Sequence, residues 1–152
     1  MENTKRIQEL LMNAIFEVFE KMFFVFLEPV DEDVKYDMVA SINFTGPVKG
    51  CIDVLFTRGM AEAMTQNMLN VDDTSITDKL IEDCAKEAVN MIGGNFLQKY
   101  DSSKVFDLSI PVFKNKSGVF TKQEVGAGEN VYKLSFESDG SLMGIEMSVG
   151  QV

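Results

Sequence analysis

The 152-residue chain contains no histidine, and this absence excludes several large classes of catalytic site. Triad hydrolases use imidazole as the general base, and zinc sites use histidine or several thiolates as ligands. The two cysteines, Cys51 and Cys84, are too few for a thiolate zinc site, and their apolar surroundings favour buried, reduced thiols over a disulfide. Calcium-loop, Walker A and Rossmann glycine patterns are also missing. The sequence therefore predicts no metal site and no cofactor of the chain's own.

The chain also lacks any cluster of lysine and arginine. Its 14 basic residues stand against 24 acidic ones, which gives a formal net charge of −10. Nucleic acids and anionic membrane surfaces are both bound through concentrated positive charge, so neither is an expected partner. The most apolar run, residues 22–27, is much shorter than the ~20 residues of a membrane-spanning helix, and the acidic first helix does not suit a signal peptide. We therefore expect a cytoplasmic protein.

Hydrophobic periodicity predicts three helices and six strands. The helices are expected at residues 4–27, 59–69 and about 76–100, and the strands at 36–44, 51–56, 105–113, 117–124, 129–137 and 141–149. Pro29 is expected to end the first helix, and Thr77 to cap the third. This order predicts one α+β domain over residues 1–152, with a largely antiparallel sheet and the helices on one side. Because a helix followed by strands occurs twice, a pseudo-two-fold arrangement is expected.

The third predicted helix carries a polar stripe, which is the candidate site. At about 100° per residue, four residues gather on the face opposite the apolar one: Asp83, Glu87, Asn90 and Gly94. A solvated surface is the ordinary interpretation of such a face. Gly93 and Gly94 indicate a role beyond that of a solvated surface, because each glycine inside a helix costs about 1 kcal/mol relative to alanine. The pair therefore indicates close packing or the close approach of another molecule.

The same residues carry a family resemblance. Asp83, Glu87 and Asn90, followed by Pro111 with twenty residues between, are similar to the motif of the CheC/CheX/FliY family of bacterial chemotaxis phosphatases. The glycine-bounded segment 45–56 and the methionine- and alanine-rich helix after it also resemble that family. With one copy of the motif, the chain is most similar to the CheX branch. The resemblance implies a CheC-like pseudo-two-fold fold and a homodimer that pairs through its sheet.

The resemblance also implies a function and a role for each residue of the stripe. Family members hydrolyse the aspartyl phosphate of a CheY-type response regulator and so end its signal. Asn90 would position the attacking water, and Glu87 would contact the regulator through its active-site lysine. Asp83 would support that contact, and Gly94 would leave room for the regulator. The Mg²⁺ of the reaction would be held by the phosphorylated regulator.

Two positions depart from the family pattern. Val89 stands where many relatives have glycine, and Gly93 is added to the more usual Gly94. Because Val89 lies next to Asn90 on the side of the apolar face, we expect a packing adjustment there. The departures leave two alternatives open. The chain could be a non-catalytic module that binds a regulator through the same stripe, or a scaffold domain with no role in phosphorylation signalling.

Overall fold

The computed structural model describes residues 2–122 and 130–151, which form three α-helices and nine strands. The helices are α1 (Glu2–Phe23), α2 (Arg58–Leu69) and α3 (Asp78–Tyr100). The strands are β1 (Glu28–Val30), β2 (Val34–Tyr36), β3 (Met38–Thr45), β4 (Val48–Phe56), β5 (Asp107–Leu108), β6 (Val112–Lys114), β7 (Gly118–Phe120), β8 (Val131–Ser138) and β9 (Ser141–Gln151). The predicted α+β class is confirmed. In the described part of the chain, no helix is both long and apolar enough to cross a bilayer.

The main sheet is antiparallel, and both halves of the chain contribute strands to it, with each half pairing its edge strands to the other. Its strand order is β1–β8–β9–β4–β3, and β5 and β6 follow one another along the outer edge of β3. The hairpin β3–β4 corresponds to the hairpin β8–β9, and the two meet through β4 and β9 at the centre. Each half gives its short edge strands to the other, since β1 pairs with β8 whereas β5 and β6 pair with β3. This exchange confirms the predicted pseudo-two-fold arrangement.

The helices cover one face of the sheet, and the main core lies between the two layers. Its largest fully buried aromatic side chains are Phe19, Phe23, Phe44, Phe56, Phe96 and Phe136. A smaller core on the opposite face contains Val34, Leu55 and Phe120, where the ribbon formed by β2 and β7 packs on the main sheet. The expectation of one sheet was therefore incomplete, because this ribbon is a sheet of its own.

The end of α1 differs from the prediction for a backbone reason. The helix ends at Phe23 because Phe24 adopts the left-handed conformation, with φ 53°. The N–H of Val25 then donates to the carbonyl of Phe19 at 2.9 Å, which closes the helix. Pro29 does not end the helix. It lies in β1 at the edge of the sheet, where a missing N–H is tolerated.

The strands that follow α3 are shorter than the predicted ones. The predicted strand 105–113 is divided into β5 and β6, and the predicted strand 117–124 is reduced to β7. Residues 123 and 124 of that prediction lie outside the described residues, as does residue 129 of the next predicted strand. Short edge segments of two or three residues have no periodicity of their own, so the sequence pattern alone could not divide them correctly.

The two thiols are free, and they differ in accessibility. Cys84 is buried in α3, whereas Cys51 is half-buried on the outer face of the sheet, with its Sγ 3.2 Å from Oγ of Ser148. The prediction of buried thiols is confirmed for Cys84 and wrong for Cys51. In β4, Ile52 takes the position that faces the core, so its neighbour Cys51 points away from it.

We expect iodoacetamide to alkylate Cys51 well before Cys84 in the folded protein. The thiolate is the reacting species, and burial raises the pKa of the Cys84 thiol above its usual value. Peptide mass spectrometry over a time course measures both sites separately. A sample in denaturant, where both thiols are exposed, is the control. Equal rates in the folded protein would contradict the burial of Cys84.

Candidate functional site

The predicted polar stripe lies on the outer face of α3. The buried face of this helix packs against β3, α1 and α2, and it includes Ile81, Ala85, Ala88, Ile92 and Phe96. On the opposite face Asp83 is exposed, and Glu87, Asn90 and Gly94 are partly exposed. Thr77 caps the helix as predicted, because its hydroxyl accepts a hydrogen bond from the N–H of Leu80 at 3.2 Å. The helix therefore brings all four residues of the stripe to one accessible surface.

The carboxylate of Asp83 is already engaged within the helix. Nζ of Lys79 lies 2.9 Å from Oδ1 of Asp83, one turn away. The hydrogen bond to Asp83 raises the pKa of Lys79 above its ordinary value, and the attraction of the two charges adds to this effect. A second pair of the same spacing joins Lys86 to Glu82 at 2.8 Å. Asp83 thus presents a paired charge to the solvent.

Glu87 and Asn90 differ from Asp83 in this respect. Among residues 2–122 and 130–151, no side-chain hydrogen bond or ion pair involves either of them. The helix fixes the backbone of both, and their spacing of three residues places them side by side. A carboxylate can bind a cation, and an amide can both donate and accept hydrogen bonds. The pair therefore presents polar groups on a fixed helical backbone, where a second molecule can bind them.

The two glycines of α3 have different surroundings. A Cβ atom added to Gly93, which is buried, would lie 3.4 Å from Cδ2 of Leu108 and 3.5 Å from Cγ2 of Ile42. A Cβ atom added to Gly94 would meet only Cδ1 of Leu108, at 4.0 Å. Packing inside the molecule thus favours a small side chain at 93, although a methyl group would meet its neighbours at ordinary contact distances. Packing sets no such limit at 94, where the helix surface is open beside the stripe.

Pro111 lies in the segment that joins β5 to β6, two strands that both contact α3. These strands pair with β3 in registers that differ by one residue, so segment 109–111 holds one residue more than the part of β3 opposite it. Such an extra residue is a β-bulge. Ser109 fixes it, because its N–H donates to the carbonyl of Asn43 and its hydroxyl accepts from the N–H of Asn43, both at 2.9 Å. Pro111 therefore lies in a bulge at the edge of the sheet, where the missing N–H of proline is tolerated.

The first half of the chain does not repeat the stripe. Six buried positions of α1 have the same spacing as six buried positions of α3. They are Ile7, Leu11, Ala14, Ile15, Val18 and Phe19 in α1, and Ile81, Ala85, Ala88, Val89, Ile92 and Gly93 in α3. In this correspondence Phe16 takes the place of Asn90. Its ring packs edge-on against Phe136, with 5.5 Å between the ring centroids. The polar constellation is thus present once, on α3, and Val89 faces the core as expected.

Sequence reasoning missed several contacts on and beside this surface. The ion pairs of Lys79 and Lys86 could have been found from their spacing of four residues on a helix. The two hydrogen bonds between Ser109 and Asn43 carry no local signal, because the fold alone brings these residues together. In the described part of the chain, no group of three or more Cys, Asp or Glu side chains is arranged to hold a metal ion. That the chain uses no cofactor of its own stays a prediction.

Comparison with known proteins places this surface in a known fold. A family model described as "Chemotaxis phosphatase CheX" matches residues 38–136, which is well over half of the chain. The CheX protein from Vibrio vulnificus is 21% identical, with a TM-score of 0.75 over 93% of this chain and 94% of that one. The CheX protein from Desulfovibrio desulfuricans is also 21% identical, with a TM-score of 0.75 over 95% and 99%.

A further structure with this fold is a complex. The chain from the CheX–CheY–BeF3–Mg²⁺ complex of Borrelia burgdorferi is 18% identical, with a TM-score of 0.69 over 94% of this chain and 97% of that one. No curated protein matches the sequence. At these identities the likeness of the structures establishes the fold, and the match to the family model is the evidence for common descent.

Proposed function

The chain belongs to the CheX family of chemotaxis phosphatases, and we propose that it hydrolyses the aspartyl phosphate of a CheY-type response regulator. The observation that carries the proposal is the pair Glu87 and Asn90, which lies on the accessible face of a rigid helix without a partner among the described residues. The complex of the Borrelia burgdorferi relative with CheY supports a partner of this type.

Asn90 is assigned to the attacking water. An acyl phosphate is intrinsically reactive, so the main catalytic requirement is to hold a water in line with the bond that breaks. The amide of Asn90 can accept a hydrogen bond from that water and donate one to a phosphoryl oxygen. It does both while uncharged. A carboxylate in the same place would repel the dianionic phosphoryl group.

Glu87 is assigned to the contact with the regulator, where its carboxylate meets the active-site lysine. Asp83, held by Lys79, lies one turn earlier on the same face and supports the binding. Gly94 leaves the space into which the regulator fits. The regulator would carry the Mg²⁺ that neutralises the phosphoryl charge. In this proposal the chain supplies half of the active site, and its partner supplies the phosphoryl group and the metal.

Decay of the phosphorylated regulator, measured with and without the protein, tests the proposal. Catalytic amounts of the protein should shorten the lifetime of the aspartyl phosphate. If the regulator binds while its phosphate lifetime is unchanged, the protein is the non-catalytic binding module instead. If the regulator neither binds nor loses its phosphate faster, the domain has no role at this step.

Changing Gly94 to alanine is expected to slow dephosphorylation of the regulator by roughly tenfold, because a methyl group forced into a well-packed interface costs about 1–3 kcal/mol. The same change should raise the free energy of unfolding by about 0.5–1 kcal/mol, since alanine is the better helix former and the added Cβ meets only Leu108, at 4.0 Å. Phosphate decay and denaturant unfolding measure the two effects.

Gly93→Ala is the matched control for this prediction. Its new methyl group points into the molecule at ordinary contact distances, so the variant should also gain stability. Because Gly93 is buried, the activity of this variant should stay close to that of the native protein. Equal activity losses in the two variants would contradict the role of Gly94 as an opening for the partner.

The family resemblance further predicts a cytoplasmic homodimer that pairs through its sheet. The outermost strands of the main sheet are β1 on one side and β5 and β6 on the other. Sedimentation equilibrium distinguishes the states, because a dimer has twice the 17.0 kDa mass of one chain. A single species at the monomer mass at micromolar concentration would contradict this prediction.

A further inference from the structure

A second concave surface lies between the end of α1, helix α2 and the turn that joins β8 to β9. It encloses about 520 Å³. Its lining includes three apolar and three acidic side chains: Phe24, Phe26, Met60, Glu28, Glu137 and Asp139. We name it the aromatic–acidic cavity. Its volume is in the range of cavities that bind ligands, and it shares no residue with the stripe on α3.

The two phenylalanines of this cavity are unusually accessible. Phe24 is 62% exposed and Phe26 is 69% exposed. Full burial of such a side chain is worth about 1.5–3 kcal/mol, so the fold leaves most of this contribution unused at two positions separated by one residue. The backbone that presents Phe24 is also fixed in a conformation that residues other than glycine seldom adopt. Its carbonyl accepts a hydrogen bond from Nδ2 of Asn67 at 3.3 Å.

The corresponding place in the second half shows that the fold does not force this exposure. There the aromatic residues in the last turns of α3 and just after it pack against one another. The ring of Tyr100 lies 5.9 Å from that of Phe96 and 6.4 Å from that of Phe106, between centroids. The ring of Phe106 in turn covers Gly46, where an added Cβ would lie 2.8 Å from it. The same architecture thus packs aromatic side chains against one another at the end of one helix and leaves them exposed after the other.

The acidic groups of the cavity are arranged unfavourably for the isolated chain. Glu28 and Glu137 are directly paired across β1 and β8, where like charges destabilise a sheet. Asp139 adds a third carboxylate at the turn, and no basic residue lines the cavity. Within residues 2–122 and 130–151, none of the three carboxylates forms an ion pair. A positively charged occupant would relieve this repulsion.

We propose that the aromatic–acidic cavity docks a short segment of a partner protein that carries lysine or arginine beside an apolar side chain. The apolar side chain would pack on Phe26 and Met60, and the cation would lie between Glu28 and Glu137 or over an aromatic face. Three carboxylates disfavour nucleic acid and anionic lipid. A second copy of this chain would bring a net charge of −10 to three carboxylates and so matches this cavity poorly, whereas the predicted homodimer pairs through its sheet. The chain's own Lys5 and Arg6 lie near the far end of α1, roughly 25 Å away.

A random dodecapeptide library tests this proposal without a known partner. Peptides are selected on the native protein after depletion on the Phe26→Ser variant. The expected result is enrichment of peptides in which lysine or arginine stands beside an aliphatic or aromatic residue. A representative peptide should bind Phe26→Ser at least tenfold more weakly by fluorescence anisotropy. The double variant Glu28→Gln/Asp139→Asn should lose affinity to a similar extent, and binding to the native protein should weaken as salt is added.

Val105→Ser is the matched control, because Val105 is 85% exposed and lies outside the cavity. It should bind the selected peptide as the native protein does. The proposal would be overturned if no peptide were enriched or if acidic peptides were enriched. It would also be overturned if free arginine amide bound as tightly as the selected peptide. Phe26→Ser should also dephosphorylate the regulator normally. A loss of dephosphorylation activity in this variant would show that the cavity belongs to the regulator interface and would contradict a separate docking site. If the phosphatase proposal alone fails, the peptide result is unaffected.

Discussion

Replacing Asn90 with alanine is expected to lower kcat for dephosphorylation of the regulator on the order of 100-fold, because a misplaced reactant in an otherwise intact site has an effect of this size. The variant loses the neutral group assigned to the attacking water and keeps the carboxylates assigned to binding. KM should therefore change little, which is the signature of an interaction made mainly in the transition state. The native fold should persist, since Asn90 is on the helix surface and alanine favours a helix.

Asn95→Ala is the matched control for this experiment. Asn95 is the same residue type on the same helix, but it lies about 140° around the axis from Asn90. Its side-chain oxygen is buried without a hydrogen-bond partner among the described residues, so its removal should leave stability equal or higher. Asn90→Asp should also be inactive, because its charge would face the phosphoryl group. If the Asn90→Ala variant dephosphorylated the regulator at the native rate, the role assigned to Asn90 would be wrong.

The stripe could be predicted because it depends on the helical period and on little else. Residues 83, 87, 90 and 94 share a face in any α-helix, and the apolar residues between them determine which face is outside. The start of α3 could be predicted for a similar local reason, since the hydroxyl of Thr77 caps the helix. Features that a few consecutive residues determine are visible in the sequence.

Features that depend on distant pairing could not be predicted. The bulge beside α3 exists because β5 and β6 pair with β3 in different registers, and Ser109 bonds to Asn43 across 66 positions of the chain. The ribbon of β2 and β7 joins three-residue segments from opposite halves. The end of α1 depends on one backbone torsion at Phe24, where the sequence has no glycine or asparagine to signal it. In each case the deciding contact is made only after the fold has formed.

Changing Glu87 to lysine is expected to raise the KM for the phosphorylated regulator on the order of 100-fold, because like charges placed together at an interface cost several kcal/mol. Here the new ammonium group would face the regulator's active-site lysine. The value of kcat should be largely kept at saturating regulator, since Asn90 is unchanged. The affinity of the native protein should fall as salt is added, and that of the variant should not. Steady-state kinetics at two ionic strengths measure all of these effects.

Glu20→Lys is the control that separates a local charge effect from a global one. Glu20 is exposed on α1, and in the correspondence between the two long helices it takes the place of Gly94. Both substitutions change the net charge of −10 by the same two units. If the acidic chain attracted the regulator only through its overall charge, the two variants would weaken binding equally. A large effect at Glu87 with little effect at Glu20 instead requires that the regulator meets α3 at the stripe.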